Sequence, residues 1–215
     1  MRTLAVVLVV AASLPAQQKK AAGPKPPGED WVSLFNGKDL TNWKPVGEEK
    51  WTIEDGAIHG QGITSKYGYL ATEKTYKDFH LKLAFKCLAG GNSGVYFHAT
   101  FKEGTLNITG RQVEIDRNIG RHTGGVYGDD RGWWVWPAPE NETVIRPHDW
   151  NEMLIRVVGN RYRVRLNGVE VLDYTHPSPK YHDGVIALQL HSGGEGNMLF
   201  KDIWIRDLTQ RGPAN

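Results

Sequence analysis

Residues 112–116 read Q-V-E-I-D and alternate polar with apolar side chains. On a β-strand successive side chains point to opposite faces, so Gln112, Glu114 and Asp116 share one face while Val113 and Ile115 occupy the other. Two carboxylates and an amide on one face can transfer protons, bind hydroxyl groups or hold a cation. A solvated sheet face would carry the same residues, so the pattern becomes informative only if other strands repeat it.

Two other segments repeat this arrangement with similar groups. Tyr96 and His98 alternate with apolar residues in one, and Gln189 and His191 do so in the other. If the three strands are neighbours in one sheet, their polar side chains line a single cleft. Histidine, glutamate and aspartate suit general acid–base catalysis and would equally bind a divalent cation, although no ligand spacing here is diagnostic of a metal. The alternative is a hydrated sheet face with incidental polar residues.

A long segment with little periodicity, residues 117–147, contains Trp133, Trp134 and Trp136. Loops of this length in compact domains are usually functional or disordered, and three tryptophans argue against disorder. Tryptophan is a flat apolar plate with one polar N–H, so exposed rings commonly stack on sugars or contact partners. The alternative is a small satellite core beneath the loop.

Short strand patterns separated by turn residues position these groups. Residues 51–59 predict a β-hairpin around Glu54-Asp55-Gly56, and Asn167-Gly168 is a strong two-residue hairpin turn. Further strands are predicted within residues 79–86, 94–101, 153–158, 162–166, 169–174, 184–191 and 199–208, without a long helix or internal repeat. Together they predict an all-β fold, a jelly-roll β-sandwich of two antiparallel sheets whose concave sheet would carry the polar groove.

The composition of the chain limits the classes of function that fit it. The chain has 215 residues, a formal net charge of +2 and one cysteine, Cys87. This charge balance argues against a nucleic-acid or polyanion partner, and the face carrying Arg161, Arg163 and Arg165 is most simply a solvated surface. A single cysteine excludes an intrachain disulfide, and its apolar sequence neighbours predict a buried structural thiol.

The N-terminal residues predict export. Arg2 precedes a short apolar run, and Pro15 and Ala16 offer a small-residue cleavage site, so residues 1–16 are predicted to be a signal peptide. The run is shorter than the roughly 20 apolar residues of a membrane-spanning helix. Residues 17–30 predict a flexible proline- and lysine-rich linker, residues 31–210 a single domain, and residues 211–215 a tail. We therefore expect a periplasmic or secreted protein with no membrane span.

A set of short motifs in a fixed order resembles one protein family. The motifs are LFNGKDLTNWK, NSGVYFH, GRQVEID, TGGVYG, RGWW, DWNEMLIRVVGNRYRVRLNGVEV, GVIALQLHSG and LFKDIWIRDL. Together they resemble the 3-keto-disaccharide hydrolase domain family over almost the whole predicted domain. The resemblance implies a concanavalin A-like (lectin/glucanase) jelly roll, a site on its concave face and cleavage of 3-keto-glycosides. Where many members read E-V-Q, this chain has Gln112-Val113-Glu114, which exchanges the acid and the amide.

Under this resemblance we expect an enzyme whose partner is a small carbohydrate. A ketone at C3 acidifies the C2 proton, so a base can remove that proton and the C1 substituent then leaves. His98 or His191 is the expected base, and Glu114 with Asp116 is expected to supply the acid or metal ligands. The expected substrate-binding residues are Asn92, Tyr96, Gln112, Tyr127, Trp133, Trp134 and Gln189. No cofactor is firmly implied; a divalent cation is the one that these ligands could hold.

Two other functions fit parts of the sequence. Laminarinase-type glycoside hydrolases on the same fold use E-x-D-x-x-E, which Glu114-Ile115-Asp116 begins, but the third acidic position here is Ile119. A non-catalytic carbohydrate-binding module would use the tryptophans and the polar sheet face as a platform. Turnover of unoxidised β-glucans would support the first function, and sugar binding without product formation the second.

Overall fold

A computed structural model describes residues 24–28, 30–128 and 132–209. The predicted signal peptide, most of the predicted linker and the predicted C-terminal tail lie outside the described residues. Across the described ranges the chain forms fifteen strands and one 3-10 helix, Pro139–Val144. No helix in this part of the chain has the length and apolar character needed to cross a bilayer.

The strands follow one another along the whole described chain. They are β1 (Val32–Ser33), β2 (Trp43–Val46), β3 (Lys50–Glu54), β4 (Ala57–Gln61), β5 (Gly68–Tyr76), β6 (Phe79–Cys87), β7 (Asn92–Phe101), β8 (Ile108–Asp116), β9 (Val126–Gly128), β10 (Gly132–Val135), β11 (Trp150–Val158), β12 (Arg161–Leu166), β13 (Val169–Thr175), β14 (Gly184–Leu190) and β15 (Asn197–Asp207).

These strands form two sheets with antiparallel pairing. The back sheet has the order β13-β12-β11-β6-β15-β4-β3, with β1 also paired to β15, and the front sheet has the order β10-β9-β8-β7-β14-β5-β2. Because β14 pairs with both β5 and β7, segments that are far apart in sequence become neighbours in the front sheet. The predicted sandwich of two antiparallel sheets is confirmed.

The core lies between the inner faces of the two sheets. In β8 of the front sheet, Val113 and Ile115 are fully buried in the cluster that also contains Leu83 and Phe85 of the back sheet. Burying a side chain of this size contributes roughly 1.5–3 kcal/mol, so the aliphatic face of β8 is held inward. A register slip of one residue would instead bury Glu114 in the core. The hydrophobic pattern therefore fixes the outward direction of the polar face of β8.

The two predicted hairpin turns are confirmed. Asp55 and Gly56 have φ angles of 49° and 77°, and Asn167 and Gly168 have φ angles of 51° and 86°. Two successive positive φ values match the twist of a tight antiparallel hairpin, and asparagine, aspartate and glycine accept them most readily.

Five strands, β1, β2, β5, β9 and β10, were not predicted from the sequence. The segment expected to be a long loop contains β9, β10 and the 3-10 helix. Strand β5 has no clear polar alternation because Leu70 lies in the main core while Tyr69 and Ala71 lie in a second cluster. Both faces of this central strand are covered, so the periodicity that marks a half-buried strand is lost.

Candidate active site

The front sheet carries a cavity of about 320 Å³, which we call the pocket. Its lining residues are Tyr67, Tyr69, Asn92, Tyr96, Gln112, Glu114, Tyr127, Trp133, Gln189 and His191. Eight of the eleven side chains predicted for the site therefore meet in one place. The three strands β7, β8 and β14 are adjacent, which is the condition that the sequence argument required.

Gly94 lies beneath the Gln112 side chain. In β7 it lies opposite Glu114 of β8 and opposite Gln189 of β14. The side chain of Gln112 lies over this glycine: a Cβ added there would come within 2.4 Å of Gln112 Nε2. A larger residue at this position would displace the amide, so the missing side chain gives Gln112 its place beside Glu114.

Glu114 is the buried acid of the pocket. Its side chain accepts a hydrogen bond of 2.6 Å from Gln112 Nε2, and the residue is only 8% exposed. Burial, followed by the negative charge of Asp116, raises the pKa of Glu114 to about 8, while the Gln112 hydrogen bond opposes the shift. At neutral pH Glu114 is therefore mostly protonated and can act as a proton donor.

Asp116 contacts its neighbours rather than the cavity. Its carboxylate accepts hydrogen bonds from Asn92 Nδ2 at 3.1 Å, from the Asn118 backbone N–H at 2.7 Å and from Asn118 Nδ2 at 3.0 Å. Asn92 lines the pocket, so Asp116 orients one of the lining amides. Its charge also favours the protonated form of Glu114. These contacts support a positioning role for Asp116.

His191 lies just beyond β14, at the edge of the pocket. Its Nε2 is 3.2 Å from the hydroxyl oxygen of Tyr67, and its Nδ1 is 3.1 Å from Glu195 Oε2 and 3.3 Å from the Ser192 carbonyl oxygen. A carboxylate beside Nδ1 favours the tautomer that carries its proton there, so Nε2 can accept the Tyr67 hydroxyl proton. Tyr67, His191 and Glu195 form a chain that could move a proton, which we call the relay.

Tyrosines supply neutral hydroxyl groups beside the relay. Tyr69 and Tyr96 pack edge to face, with ring centroids 5.7 Å apart. Burial raises the pKa of Tyr69 to about 12, although its hydrogen bond with Gln189 opposes the shift. This phenol therefore keeps its proton and can donate a hydrogen bond to an oxygen in the pocket.

Two aromatic rings form the opposite wall. Tyr127 of β9 and Trp133 of β10 meet edge to face, with ring centroids 5.5 Å apart. Both line the pocket, as the sequence predicted. Small-molecule sites are usually lined by aromatic and apolar side chains together with a few polar groups that point into the cavity.

The prediction that His98 shares this cleft is wrong. His98 is 1% exposed, and its ring packs against Phe79 and Phe97. Its Nε2 lies 2.7 Å from the Lys77 carbonyl oxygen, and its Nδ1 lies 3.2 Å from the Tyr181 carbonyl oxygen. The reason is a bulge in β7, where His98 adopts a φ of 49° and the pairing with β8 shifts register. The bulge ends the alternation of faces on which the prediction depended.

The prediction that Trp134 lines the site is also wrong. Consecutive residues of a strand face opposite sides, so Trp133 and Trp134 of β10 cannot both point into the pocket. The Trp134 ring lies 5.1 Å from the Arg111 guanidinium carbon, and its centroid lies 4.1 Å from that of the His176 ring. Trp134 packs against the main core of the sandwich.

The described residues contain no group of three or more histidine, cysteine, aspartate or glutamate side chains placed to hold a metal ion. Within the pocket, the lining side chains of these types are Glu114 and His191.

Three residues of the site, Tyr67, Tyr69 and Glu195, were not predicted from the sequence. Tyr67 lies directly before β5 and Tyr69 lies within it, and the alternation of this strand is hidden by burial on both faces. Glu195 lies four residues after His191 in a glycine-rich turn. The only available signal was that short spacing between a histidine and a carboxylate, which is common on protein surfaces.

Comparison with known sequences identifies the family. The sequence profile of the 3-keto-alpha-glucoside-1,2-lyase-like domain matches residues 30–206 of this chain. The chain belongs to this family. A relative of this chain is a 3-keto-disaccharide hydrolase from Bacteroides thetaiotaomicron, with 32% identity over 81 residues. That match covers 33% of this chain and spans 28% of the relative's length.

Solved structures confirm the fold class of this family member. A crystal structure from Parabacteroides distasonis ATCC 8503, named for an inferred glycosyl hydrolase, has 25% sequence identity and a TM-score of 0.65, covering 83% of this chain and 94% of that one. The carbohydrate-binding module CBM66 from Bacillus subtilis has 14% identity and a TM-score of 0.56, covering 77% of this chain and 96% of the module. The latter likeness shows the fold alone. The expected concanavalin A-like sandwich is confirmed.

Proposed function

We propose that this protein is a carbohydrate-active enzyme that cleaves 3-keto-glycosides by removing the proton next to the ketone and expelling the C1 substituent. The observation that carries the proposal is the pairing of two proton-transfer groups in one cavity. Glu114 holds a proton at neutral pH, and His191 with Tyr67 and Glu195 can accept one. Membership in the 3-keto-alpha-glucoside-1,2-lyase-like family supports this choice of substrate class.

The relay supplies the base in the first step. His191 Nε2 takes the C2 proton, directly or through the Tyr67 hydroxyl, and the electron pair of the C2–H bond forms an enolate with its charge on the C3 oxygen. Tyr69 and the amides of Asn92 and Gln189 line the pocket and donate hydrogen bonds to that oxygen. Donors already in place stabilise the developing charge without reorganisation.

Glu114 supplies the acid in the second step. The enolate collapses, the C1–O1 bond breaks, and Glu114 gives its proton to the departing oxygen. The products are the free alcohol and a sugar with a C1–C2 double bond beside the ketone. Water then adds its hydroxyl to C1 with Glu114 as base, and His191, whose ring proton exchanges with solvent, returns a proton to C2. The net reaction is hydrolysis, whereas release before water addition would make it a lyase.

The decisive experiment follows hydrogen exchange at C2. We would incubate the protein with 3-keto-maltose in D₂O and measure glucose release and deuterium content by mass spectrometry. The proposal predicts cleavage of the 3-keto sugar with deuterium at C2 of the keto product, and no cleavage of maltose. Glu114→Gln and His191→Ala should each lose most of this activity, while Val158→Ala, an exposed position on the back sheet, should retain it.

Other outcomes separate the remaining functions. Full activity in both pocket variants would remove the assigned roles. Binding of sugars without product from any of them would favour the carbohydrate-binding module, which the Tyr127 and Trp133 wall also suits. Cleavage of unoxidised β-glucans would revive a laminarinase-type reaction.

We also propose that the protein is exported, on the basis of the basic, apolar and small residues in positions 1–16. The intact mass of the protein recovered from its native cells tests this, because export predicts loss of about this segment. Recovery of the uncleaved chain from the cytoplasm would contradict it.

A further inference from the structure

A second group of residues with defined geometry lies next to the pocket. Trp136 and His122 have ring centroids 5.2 Å apart at an interplanar angle of 30°, and the His122 ring meets Trp133 edge-on at 4.9 Å. Trp133 itself lines the pocket. We call Trp133, Trp136 and His122 the aromatic rim.

Glu142 holds the aromatic rim in place. Its two carboxylate oxygens accept hydrogen bonds from the backbone N–H of His122 at 2.9 Å and from His122 Nδ1 at 2.5 Å. The Glu142 side chain is 9% exposed, so this hydrogen-bonded contact is shielded from water on the carboxylate side. A bidentate contact of this kind fixes the imidazole and, through it, the surface beside Trp136.

The loop that carries the rim is tied to the catalytic strand. The Gly125 backbone N–H donates to the His122 carbonyl, and the Glu114 backbone N–H donates to the Gly125 carbonyl. A Cβ at Gly125 would lie 3.0 Å from the Trp133 ring and 3.1 Å from Trp136 Cα, so the glycine lets β10 approach closely. The rim is therefore held at the same edge of the front sheet as Glu114.

Trp136 is the exposed member of this rigid group. It is 52% exposed, whereas Trp133 is half-buried in the pocket wall. An indole face left in water gives up the stabilisation that burial would provide. The contact with His122 nevertheless keeps the Trp136 ring in this exposed position. A fixed apolar plate at the mouth of a polar cavity suits the flat, weakly polar face of a sugar ring.

The size of the pocket requires a second place for a disaccharide. At about 320 Å³ the pocket is near the lower end of the roughly 300–1,000 Å³ that small-molecule sites span, so it suits one ring. The second ring of a bound disaccharide must therefore lie outside the pocket, beyond its mouth. Toward Tyr69 and Phe101 lies a groove of about 770 Å³ whose rim carries Lys44, Lys66 and Lys102. Toward Trp133 lies the exposed indole of Trp136.

We propose that the aromatic rim is a second sugar subsite, in which the leaving ring of the substrate stacks on Trp136 beside the fixed imidazole of His122. This inference rests on the proposed function for its direction: the keto ring occupies the pocket, and the ring attached at C1 occupies the rim. It makes the protein selective for disaccharides over 3-keto-glycosides with small C1 substituents.

The test compares two substrates in matched variants. Trp136→Ala should raise KM for 3-keto-maltose about tenfold, which corresponds to a loss of about 1.4 kcal/mol of binding free energy. KM for methyl 3-keto-α-glucoside should stay within about twofold, because its methyl group does not reach the rim. Glu142→Gln, which weakens the hold on His122, should cause a smaller loss with the same selectivity. Lys102→Ala, on the rim of the other groove, is the control and should change neither value.

Three results would overturn the subsite. An equal rise in KM for both substrates in Trp136→Ala would show that Trp136 acts only through the fold. No rise for either substrate would show that the aromatic rim does not bind the second ring. A loss for 3-keto-maltose in Lys102→Ala alone would place the second ring in the other groove. If the wild type cleaves neither substrate, the proposed function fails separately. Calorimetric titration with maltose and methyl α-glucoside then tests the subsite, which predicts that Trp136→Ala weakens the binding of maltose but not of methyl α-glucoside.

Discussion

A carboxyl group that keeps its proton at neutral pH is the chemical centre of this site. Glu114 owes this state to burial and to Asp116, a second carboxylate two residues along the same face. Asp116 remains bound to Asn92 and Asn118, so two acids of one strand have different surroundings and different contacts. Environments that separate two neighbouring carboxyl groups are typical of acid–base sites.

The acid role of Glu114 predicts a dependence on the leaving group. Glu114→Gln should lower kcat on 3-keto-maltose by roughly 10²–10⁴-fold, the usual range for a general acid. With a 4-nitrophenyl 3-keto-α-glucoside, whose leaving oxygen needs no proton, the loss should be much smaller. Wild-type kcat on 3-keto-maltose should also fall as pH rises through about 8, where Glu114 ionises. Equal losses on both substrates would contradict the role.

The same substitution has a predicted effect on stability. Below the ordinary glutamate pKa of 4.5 the residue is protonated in both folded and unfolded states. As pH rises from there to about 8, the unfolded chain ionises while the folded one resists, so the wild type loses stability. Glu114→Gln should therefore gain relative stability between pH 5 and about pH 8 in denaturant titrations. A constant difference across that range would show that the pKa is not raised.

Glu195 is expected to act through His191. The pair is partly exposed, and exposed ion pairs contribute roughly 0.2–1 kcal/mol, so Glu195→Gln should lower kcat by about two- to fivefold with little change in KM. High salt screens such a pair, so wild-type kcat should approach that of the variant at about 1 M NaCl. A variant whose deficit is unchanged by salt would indicate that Glu195 acts in another way.

At the scale of elements, alternation along a strand places most of the site. Strand β8 directs Gln112 and Glu114 outward because Val113 and Ile115 are buried in the core. In the neighbouring strand β7, Gly94 has no side chain, and the Gln112 side chain occupies the space above it. The arrangement of acid and amide therefore depends on a residue that has no chemistry of its own.

Gly94→Ala should test this dependence. The added Cβ would meet the Gln112 amide at 2.4 Å, so we expect the Gln112–Glu114 hydrogen bond to break and stability to fall by roughly 1–3 kcal/mol, as for an overpacked site. Gln112→Ala removes the clashing group. Adding Gly94→Ala to Gln112→Ala should therefore cost much less in chemical denaturation. A full cost in both backgrounds would mean that the backbone, not Gln112, excludes the methyl group.

At the scale of the whole molecule, the sandwich is a scaffold without covalent cross-links inside the chain. Its single cysteine, Cys87, lies in the core of the back sheet and is 2% exposed. Burial, followed by the charge of Asp116, raises the pKa of its thiol to about 12. The thiol is therefore both inaccessible and protonated in the folded state.

Cys87 should report global unfolding. A thiol reagent should leave the native protein unmodified, and the labelling rate should match the unfolding rate measured by tryptophan fluorescence. Reductant should not change the melting temperature, since one cysteine cannot form an intrachain disulfide. Rapid labelling under native conditions, with fluorescence unchanged, would show instead that β6 opens locally.

The sequence alone determined the two-sheet class, the tight hairpins and the outward face of β8, because these follow from period-two patterning and turn residues acting over short distances. It also predicted most of the pocket residues, on the condition that β7, β8 and β14 are neighbours, which the tertiary structure met. Only the tertiary structure decided that His98 turns inward at a bulge and that Trp134 faces the core. Only the tertiary structure showed that Tyr67 and Glu195 contact His191, because contacts between separate strands and loops produce no periodic pattern in the sequence.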